Sequence, residues 1–370
     1  MIRTESIKSV QAIGCGAPIR RRSNSWDGLN DENFPPKRKL SREIAIRKQF
    51  DDVTLKDLGL VGTLGEGAFA RVELVTVKRR PHASFALKVL SKQSIVDHKQ
   101  QEQVLRERNI LFACSSNFIV KLYKTFKDSK YLYMLMESCM GGELHKLLQR
   151  NFQFDNDSTR FYTACVMEAL EYLHRRGIVY RDLKTENLML DKSGYVKLID
   201  FGFSKKLSLG QKTHSFVGTP EYVPPEVILQ KGHDHGMDLW ALGILIYEML
   251  NGLPPFMASD PIAIFNKILI GFDDFKFPRH FSQSVVSLIK KLCRDFPAER
   301  LGYNRPGMKE IRKTKWFEGF NFELLRGRAL PPPILPKVDD EKDLANFGRF
   351  RVVNYGEATE ELFSDWDAEF

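Results

Sequence analysis

Cysteine is scarce in this sequence of 370 residues, which contains only five, at widely separated positions. None of them has the paired spacing of a zinc site or a disulfide framework. The sequence therefore argues against both kinds of cross-link and favours a reducing compartment. On this ground we expect a cytoplasmic protein.

Long apolar runs are also missing. The longest strongly apolar stretch, Leu239 to Tyr247, is bounded by Asp238 and Glu248. A helix needs about 20 apolar residues to cross a bilayer, so the sequence predicts no transmembrane segment. The first residues likewise lack the apolar core of a secretory signal.

Positive charge is in excess, with a formal net charge of +9. Residues 1–50 are basic, whereas residues 337–370 are acidic. A basic balance is compatible with a nucleic acid, an anionic membrane or the phosphates of a nucleotide as ligand. No nucleic-acid-binding signature accompanies the charge. We therefore expect phosphate handling and no nucleic-acid partner.

Two polar clusters, residues 180–187 (YRDLKTEN) and residues 200–202 (DFG), are typical of phosphoryl transfer. Asp182 is placed to accept a proton from an attacking hydroxyl, and Lys184 is near enough to reach the moving phosphoryl group. Asn187 and Asp200 supply oxygen ligands suited to Mg²⁺. Between the clusters, two apolar runs flank a turn, which predicts a hairpin that returns Asp200 to Asn187. Either cluster alone is equally compatible with an ordinary polar loop.

These residues match the protein-kinase template, with Tyr180 in place of the usual His. The chain resembles an AGC-group serine/threonine kinase, and it is similar to the catalytic part of cyclic-GMP-dependent protein kinases. The resemblance implies an α+β, bilobal fold with a small β-rich N-lobe (58–137) carrying one key helix and a larger helical C-lobe (138–317). A flexible basic extension (1–57) would precede this kinase domain (58–317). An AGC C-terminal tail (318–370) would follow it and wrap over both lobes.

The resemblance also implies an ATP site under a glycine-rich loop. Gly65 and Gly67 would let the backbone approach the phosphates closely, while Ala70 stands where the pattern has a third glycine. The residues expected to line this loop are Leu64, Gly65, Glu66, Gly67, Ala68, Phe69, Ala70, Arg71 and Val72.

Behind the loop, Lys88 is expected to bind the α- and β-phosphates, held by an ion pair with Glu107. Ala86 and Met189, with Leu64 and Val72, would enclose the adenine ring. Met136 would border the pocket, and backbone groups of Glu137 and Cys139 would bind the edge of the ring.

Substrate and regulatory residues follow from the same resemblance. Lys184 is typical of kinases that phosphorylate serine or threonine, so the partners expected are protein substrates. Glu143, Glu186 and Glu248 are expected to bind arginines that precede the acceptor, although ordinary surface glutamates are the alternative. Ser215 is expected to be phosphorylated, with an upstream kinase as the candidate enzyme. The phosphate is then expected to contact Arg181 and Lys205.

A substituted position, an ion pair and a helix cap are also notable. Thr185 replaces a proline that is usual between Lys184 and Glu186, and Glu226 is expected to form a buried ion pair with Arg300. Asn156 or Asp157 is expected to cap a long helix that runs to Arg176.

Two other functions stay open at this point. One is a catalytic subunit similar to that of the cyclic-AMP-dependent kinases. The other is a kinase-fold scaffold that binds nucleotide without transferring phosphate. The residues before position 58 are too few for a cyclic-nucleotide-binding domain. The sequence therefore does not decide whether cyclic GMP regulates this chain, or whether the chain is a fragment or a short product.

Overall fold

A computed structural model describes residues 47–67, 70–351 and 365–370. Ala68 and Phe69, two residues predicted to bind nucleotide, lie outside the described residues. Most of the predicted N-terminal extension lies outside them too.

An antiparallel sheet of five strands forms the first part, and across the sheet the strands lie in the order first, second, third, fifth and fourth along the chain. Its strands alternate their side chains between two cores, as the period of two residues requires. Leu74 and Ala86 join one apolar cluster, while their neighbours Val75 and Phe85 join another. The strands are β1 (Leu58–Glu66), β2 (Ala70–Val77), β3 (Arg80–Ser91), β4 (Leu122–Lys127) and β5 (Tyr131–Glu137).

Two helices lie between β3 and β4: α1 (Lys92–Asp97) and α2 (Gln101–Ala113). Ser91 caps α1 by accepting a hydrogen bond from the Ser94 amide. Helix α2 buries a stripe of residues three or four apart, which consists of Val104, Glu107, Ile110 and Leu111. A carboxylate therefore lies on a face that is otherwise apolar.

Helices dominate the remainder of the chain. Helix α6 is buried from Gly236 to Leu250, because it is apolar on nearly every side. The predicted bilobal α+β fold is confirmed. The helices are α3 (Leu144–Asn151), α4 (Asn156–His174), α5 (Pro225–Ile228), α6 (Gly236–Asn251), α7 (Pro261–Ile270), α8 (Gln283–Leu292), α9 (Met308–Arg312) and α10 (Phe322–Arg326).

The start of α4 differs from the prediction. Asp155, and neither Asn156 nor Asp157, is the N-cap: its side chain accepts a hydrogen bond of 2.7 Å from the Ser158 amide. Asn156 instead accepts one from the Trp316 indole at 3.1 Å. Three consecutive polar residues are all suitable caps, so the sequence alone could not choose among them. The helix ends at His174, two residues before the predicted end.

Short strands support the polar clusters: β6 (Gly142–Glu143), β7 (Ile178–Val179), β8 (Leu188–Leu190), β9 (Val196–Leu198) and β10 (Lys205–Lys206). Strands β8 and β9 form the predicted hairpin, in which Leu188 lies opposite Leu198. The Ile199 amide then donates to the Asn187 carbonyl at 3.0 Å. The hairpin therefore returns the chain so that Asp200 follows beside Asn187.

The tail returns to the sheet. Leu344 and Phe347 pack against the cluster that contains Leu64 and Met140, and the Asn346 amide donates to the Met140 carbonyl at 3.1 Å. At the end of the chain, Asp367 lies 2.6 Å from the Lys92 ammonium. Among the described residues, no helix is long and apolar enough to cross a bilayer.

Candidate active site

An ion pair between β3 and α2 forms one side of the site. Lys88 Nζ lies 2.6 Å from Glu107 Oε1 and 4.0 Å from Asp200 Oδ1. Burial alone would lower the pKa of Lys88, but attraction by Glu107 and Asp200 outweighs it and raises that pKa to about 12. Burial raises the pKa of Glu107, an effect that Lys88 opposes. The structure therefore brings together three predicted residues and holds a charged lysine beside Asp200.

The predicted glycine-rich loop lies at the end of β1, where the described part of the loop is open. The Gly67 amide donates to the Ala70 carbonyl at 2.8 Å, which connects the end of β1 to the start of β2. A Cβ atom added at Gly65 would meet no atom of the described residues within 4 Å. Arg71 is buried and paired with Glu73 at 2.7 Å and Glu66 at 3.2 Å, which secures β2 to the loop.

An apolar wall stands next to this loop. Leu64, Val72 and Ala86, predicted to enclose adenine, belong to one cluster with Met136, predicted to border the pocket. The tail contributes Phe347 to it. Met189 is half-buried on β8, opposite Glu143, outside that cluster. Cys139 is buried immediately after β5, and Glu137 ends that strand.

Asp182 is the centre of a hydrogen-bond network. Its carboxylate accepts from the Asn187 amide at 2.8 Å and from the Thr219 hydroxyl at 3.0 Å. The Lys184 ammonium lies 3.2 Å away and also donates to Thr219 at 2.8 Å. Burial raises the pKa of Asp182, while Lys184, Asn187 and Thr219 oppose the shift. The network fixes the position of the carboxylate, which a general base needs in order to reach the proton that it takes.

Thr219 was not among the predicted site residues. It is separated from Asp182 by 37 residues, and nothing local in the sequence marks a threonine for this contact. The Gly-Thr-Pro-Glu segment around it was the available signal.

A buried aspartate holds the catalytic stretch from behind. The backbone amides of Tyr180 and Arg181 donate to the two oxygens of Asp238 at 2.9 and 2.8 Å. Arg181 and Asp200 both have positive φ, at 73° and 52°. Such backbone conformations are costly for non-glycine residues and persist where surrounding contacts enforce them. Here they direct both polar clusters into one site.

Asn187 and Asp200 fit the requirements of a magnesium ion. The Asn187 amide nitrogen is committed to Asp182, which leaves its side-chain oxygen as the group to offer a cation. The Asp200 side chain is 51% exposed, and its Oδ1 accepts from the Gly202 amide at 3.1 Å. In the described part of the chain, no group of three His, Cys, Asp or Glu side chains is arranged to hold a metal. Two protein oxygens, completed by phosphates and water, are the donor set that Mg²⁺ accepts.

The three predicted substrate glutamates have different environments. Glu186 is exposed, and Glu143 pairs with Lys146 at 3.0 Å. Glu248 is 4% exposed and accepts a hydrogen bond from the Tyr222 hydroxyl. Burial raises the pKa of Glu248 to about 7, with help from the nearby charge of Glu186 and opposition from the Tyr222 hydrogen bond. Among the residues that the structure describes, no salt bridge pairs Glu248 with a cation, so a cation bound beside it would stabilise its charged form.

The predicted phosphorylation site is exposed and lies beside cations. The Ser215 hydroxyl accepts a hydrogen bond from Arg181 Nη1 at 2.8 Å, and Lys205 donates to Thr213 at 3.0 Å. Burial, and then repulsion by Arg106, lowers the pKa of Arg181 to about 10. Burial and the same two arginines lower the pKa of Lys205. The pocket thus contains a third cation, Arg106 on α2, which the sequence did not reveal.

Comparison with known families agrees with this geometry. A family model described as the protein kinase domain matches residues 59–317.

Individual relatives are similar over most of the chain. An isozyme 2 form of the cGMP-dependent protein kinase of Drosophila melanogaster is 51% identical over 341 residues, 92% of this chain and 36% of that protein. The cGMP-dependent protein kinase egl-4 of Caenorhabditis elegans is 53% identical over 326 residues, 88% of this chain and 42% of that protein. The cGMP-dependent protein kinase 2 of Homo sapiens is 50% identical over 315 residues, 85% of this chain and 41% of that protein. The matched region thus spans about two fifths of the relatives' length.

Proposed function

Because the chain belongs to the protein kinase family, we propose that it transfers the γ-phosphate of ATP to serine or threonine in basic protein substrates. The observation that carries the proposal is the complete contact set around Asp182 and Lys88. Lys88 is paired with Glu107 and adjacent to Asp200, and Asp182 is bound by Lys184, Asn187 and Thr219. We keep the division into residues 1–57, 58–317 and 318–370 as part of this proposal.

The proposed reaction is an in-line displacement. Asp182 orients the acceptor hydroxyl and takes its proton as the hydroxyl oxygen bonds to the γ-phosphorus. The bond from that phosphorus to the β–γ bridging oxygen breaks, and ADP leaves with the electron pair. Lys184 stabilises charge on the moving group, and Lys88 holds the α- and β-phosphates.

ATP would lie between the apolar wall and the loop that carries Gly65 and Gly67. Asn187 and Asp200 would hold Mg²⁺, which when bound neutralises charge on the phosphates. The absence of any described atom within 4 Å of a Cβ added at Gly65 supports this placement.

The proposed substrates contain arginine before the acceptor. Glu143, Glu186 and Glu248 provide the negative charge for such residues. Because Glu248 is buried and paired with no cation among the described residues, a guanidinium would supply the missing charge. A hydrogen bond to a charged group contributes about 1.5–3 kcal/mol, so each arginine should favour binding measurably.

Phosphorylation of Ser215, by an upstream kinase or by this chain, is the proposed activating event. A phosphate adds roughly −1.5 to −2 charges. Arg181 donates to Ser215; burial, followed by repulsion from neighbouring cations that include Arg106, lowers the pKa of both Arg181 and Lys205. A phosphate would relieve that repulsion and connect the segment to α2, which carries Glu107. Loss of activity in Ser215→Ala, with retained activity in Ser208→Ala as control, is the expected result; full activity of unphosphorylated enzyme would contradict the switch.

We place the protein in cyclic-GMP signalling by its similarity to cGMP-dependent protein kinases. A cytoplasmic location is part of the proposal, because Cys139, Cys165 and Cys293 are buried free thiols.

The experiment that tests the function is phosphate transfer from labelled ATP to an Arg-Arg-x-Ser peptide, with and without cyclic GMP. We expect transfer by the natural chain and a loss of about 10²–10⁴-fold in Asp182→Ala, the contribution typical of a general base. Asp273→Ala, which removes an exposed carboxylate elsewhere, is the matched control. Thermal stabilisation by Mg-ATP without transfer would contradict the proposal and favour a scaffold. Equal transfer with and without cyclic GMP would show that the reaction of this chain is independent of that nucleotide.

A further inference from the structure

Thr185 occupies the position where the kinase template has a proline, and it supplies a hydroxyl that proline lacks. The residue is fully buried, at the start of a 3₁₀ helix, Thr185–Asn187. Its Oγ1 lies 2.9 Å from His145 Nδ1 on α3. The same oxygen lies 3.3 Å from Glu186 Oε2 and 3.4 Å from Glu248 Oε1. One hydroxyl thus connects α3 with two of the proposed substrate glutamates.

The chemistry of the three side chains decides which atom donates in each of these hydrogen bonds. The Gln149 amide nitrogen lies 2.8 Å from His145 Nε2, and an amide nitrogen only donates. His145 Nε2 therefore accepts, and the proton of the neutral imidazole is on Nδ1. That N–H donates to the Thr185 oxygen. The threonine proton is then available only for Glu186 or Glu248.

We propose that Thr185 and His145 are positioning residues for recognition of a cationic substrate side chain, because the Gln149–His145–Thr185 chain ends in one hydroxyl proton that can hold either the Glu186 or the Glu248 carboxylate in place for a guanidinium. The inference rests on the proposed function, since it concerns the substrate site of that reaction. Neither residue touches the phosphoryl group: Thr185 acts through the glutamates, and His145 acts through Thr185.

The test compares Thr185→Val, which keeps the shape and removes the hydroxyl, with Thr185→Ser, which keeps the hydroxyl. In Thr185→Val, we expect KM for an Arg-Arg-x-Ser peptide to rise roughly threefold to tenfold, the contribution of one hydrogen bond, with kcat unchanged. A Gln-Gln-x-Ser peptide should show no change, and Thr185→Ser should restore KM for the arginine peptide. The matched control is Thr163→Val, because Thr163 is also fully buried and its hydroxyl has no hydrogen-bond partner in the described part of the chain.

A double-mutant cycle tests the role of His145. His145→Leu should weaken binding of the arginine peptide as much as Thr185→Val does. His145→Asn retains an N–H near the same position and should weaken binding less. The double variant Thr185→Val with His145→Leu should be no worse than Thr185→Val alone, because both changes break one chain of contacts. Additive effects would overturn the connection between the two residues.

Peptide binding measured by fluorescence anisotropy without ATP separates this inference from the proposed function. If the natural chain binds the arginine peptide but transfers no phosphate, the proposed function fails and the binding series still decides the inference. Unchanged binding in Thr185→Val overturns the inference. An equal loss for the arginine and glutamine peptides also overturns it, because that result indicates a general disturbance of the site.

Discussion

The pairs Lys88–Glu107 and Arg300–Glu226 are both buried and close, at 2.6 and 2.7 Å, yet their surroundings differ. The Arg300 side chain has no exposed surface, and it bonds both Glu226 oxygens as well as the carbonyls of Arg294, Gly236 and Asp295. The Lys88 side chain remains 14% exposed and has a half-exposed carboxylate, Asp200, at 4.0 Å. Protein groups satisfy the hydrogen bonds of the Arg300–Glu226 pair, whereas the Lys88–Glu107 pair is partly open on the side where a ligand would bind.

The difference separates a structural use of a buried ion pair from a functional one. Arg300 connects α5, which carries Glu226, to the start of α6 and to the segment that follows α8. The predicted Glu226–Arg300 pair is present as expected. Lys88 connects β3 to α2 but keeps donor capacity for a phosphate. Substitutions should therefore affect stability most in the first pair and activity most in the second.

The largest expected effect on stability is at Arg300. Arg300→Met leaves Glu226 buried without its partner, which should lower the free energy of unfolding by about 3–5 kcal/mol. Urea unfolding followed by circular dichroism measures the change. Adding Glu226→Gln should recover part of the loss, because the unpaired charge is then removed; no recovery would show that the pair matters through packing.

At Lys88 the expected loss is in activity. Lys88→Met removes one donor to the phosphates, which should reduce kcat by about 10²–10³-fold. Because the site is partly open to water and Glu107 has a raised pKa, Glu107 can take up a proton. The loss in unfolding free energy should then be less than half of that at Arg300. Lys78→Met, an exposed lysine, is the control, and equal destabilisation by Lys88→Met and Arg300→Met would refute the distinction.

A smaller effect is expected at the tail contact. Asp367 lies between Lys92 at 2.6 Å and Lys127 at 3.3 Å. Asp367→Asn should cost about 1.5–3 kcal/mol, as for a hydrogen bond to a charged group. Burial would raise the pKa of Asp367, but Lys92 and Lys127 outweigh it and hold the pKa below its ordinary value.

The pH dependence of that contact follows from the sign of the shift. Because the folded pKa is depressed, the contribution is fully present above the ordinary aspartate pKa and is lost as the pH falls toward the folded value. The difference in thermal midpoint between Asp367→Asn and the natural chain should therefore be constant from pH 7 to 5 and shrink below about pH 4. A difference that persists unchanged at pH 3 would exclude the ionic origin.

The smallest effect is expected at an exposed pair. Arg79 and Asp52 are 74% and 86% exposed and 3.8 Å apart. Arg79→Gln should change the unfolding free energy by less than about 0.5 kcal/mol. Urea unfolding at low and high salt checks this value. The result is the reference against which the free-energy losses at the buried pairs are compared.

Much of the fold could be predicted from local pattern. The apolar run from Leu239 to Tyr247 lies in the buried helix α6, and the two apolar runs that flank a turn form the hairpin of β8 and β9. Element ends were less certain, as the cap of α4 demonstrates. Asp155, Asn156 and Asp157 are chemically equivalent candidates, and a contact with Trp316 from far along the chain removed one of them.

The residues of the site likewise fall into those that the sequence predicts and those that it does not. Asp182, Asn187 and Asp200 are recognisable because they lie within two short segments whose spacing implies their chemistry. Thr219, Asp238 and Arg106 were not recognised, because their roles depend on segments that meet only in the folded chain. The resemblance assigned Cys139 and Met189 to the adenine pocket, but the contacts that each residue makes depend on how the chain packs. Met189, for example, lies outside the apolar cluster that contains Leu64.

The sequence by itself determined which residues carry the chemistry, since residue type and spacing along the chain are local properties. Only the tertiary structure decided which of them are charged, saturated or open to a ligand. Burial and neighbours from distant segments set those properties: they raise the pKa of Glu248 to about 7, and they bring the Thr185 hydroxyl within 2.9 Å of His145. Desolvation and hydrogen bonding act through space, and the order of residues along the chain does not encode them directly.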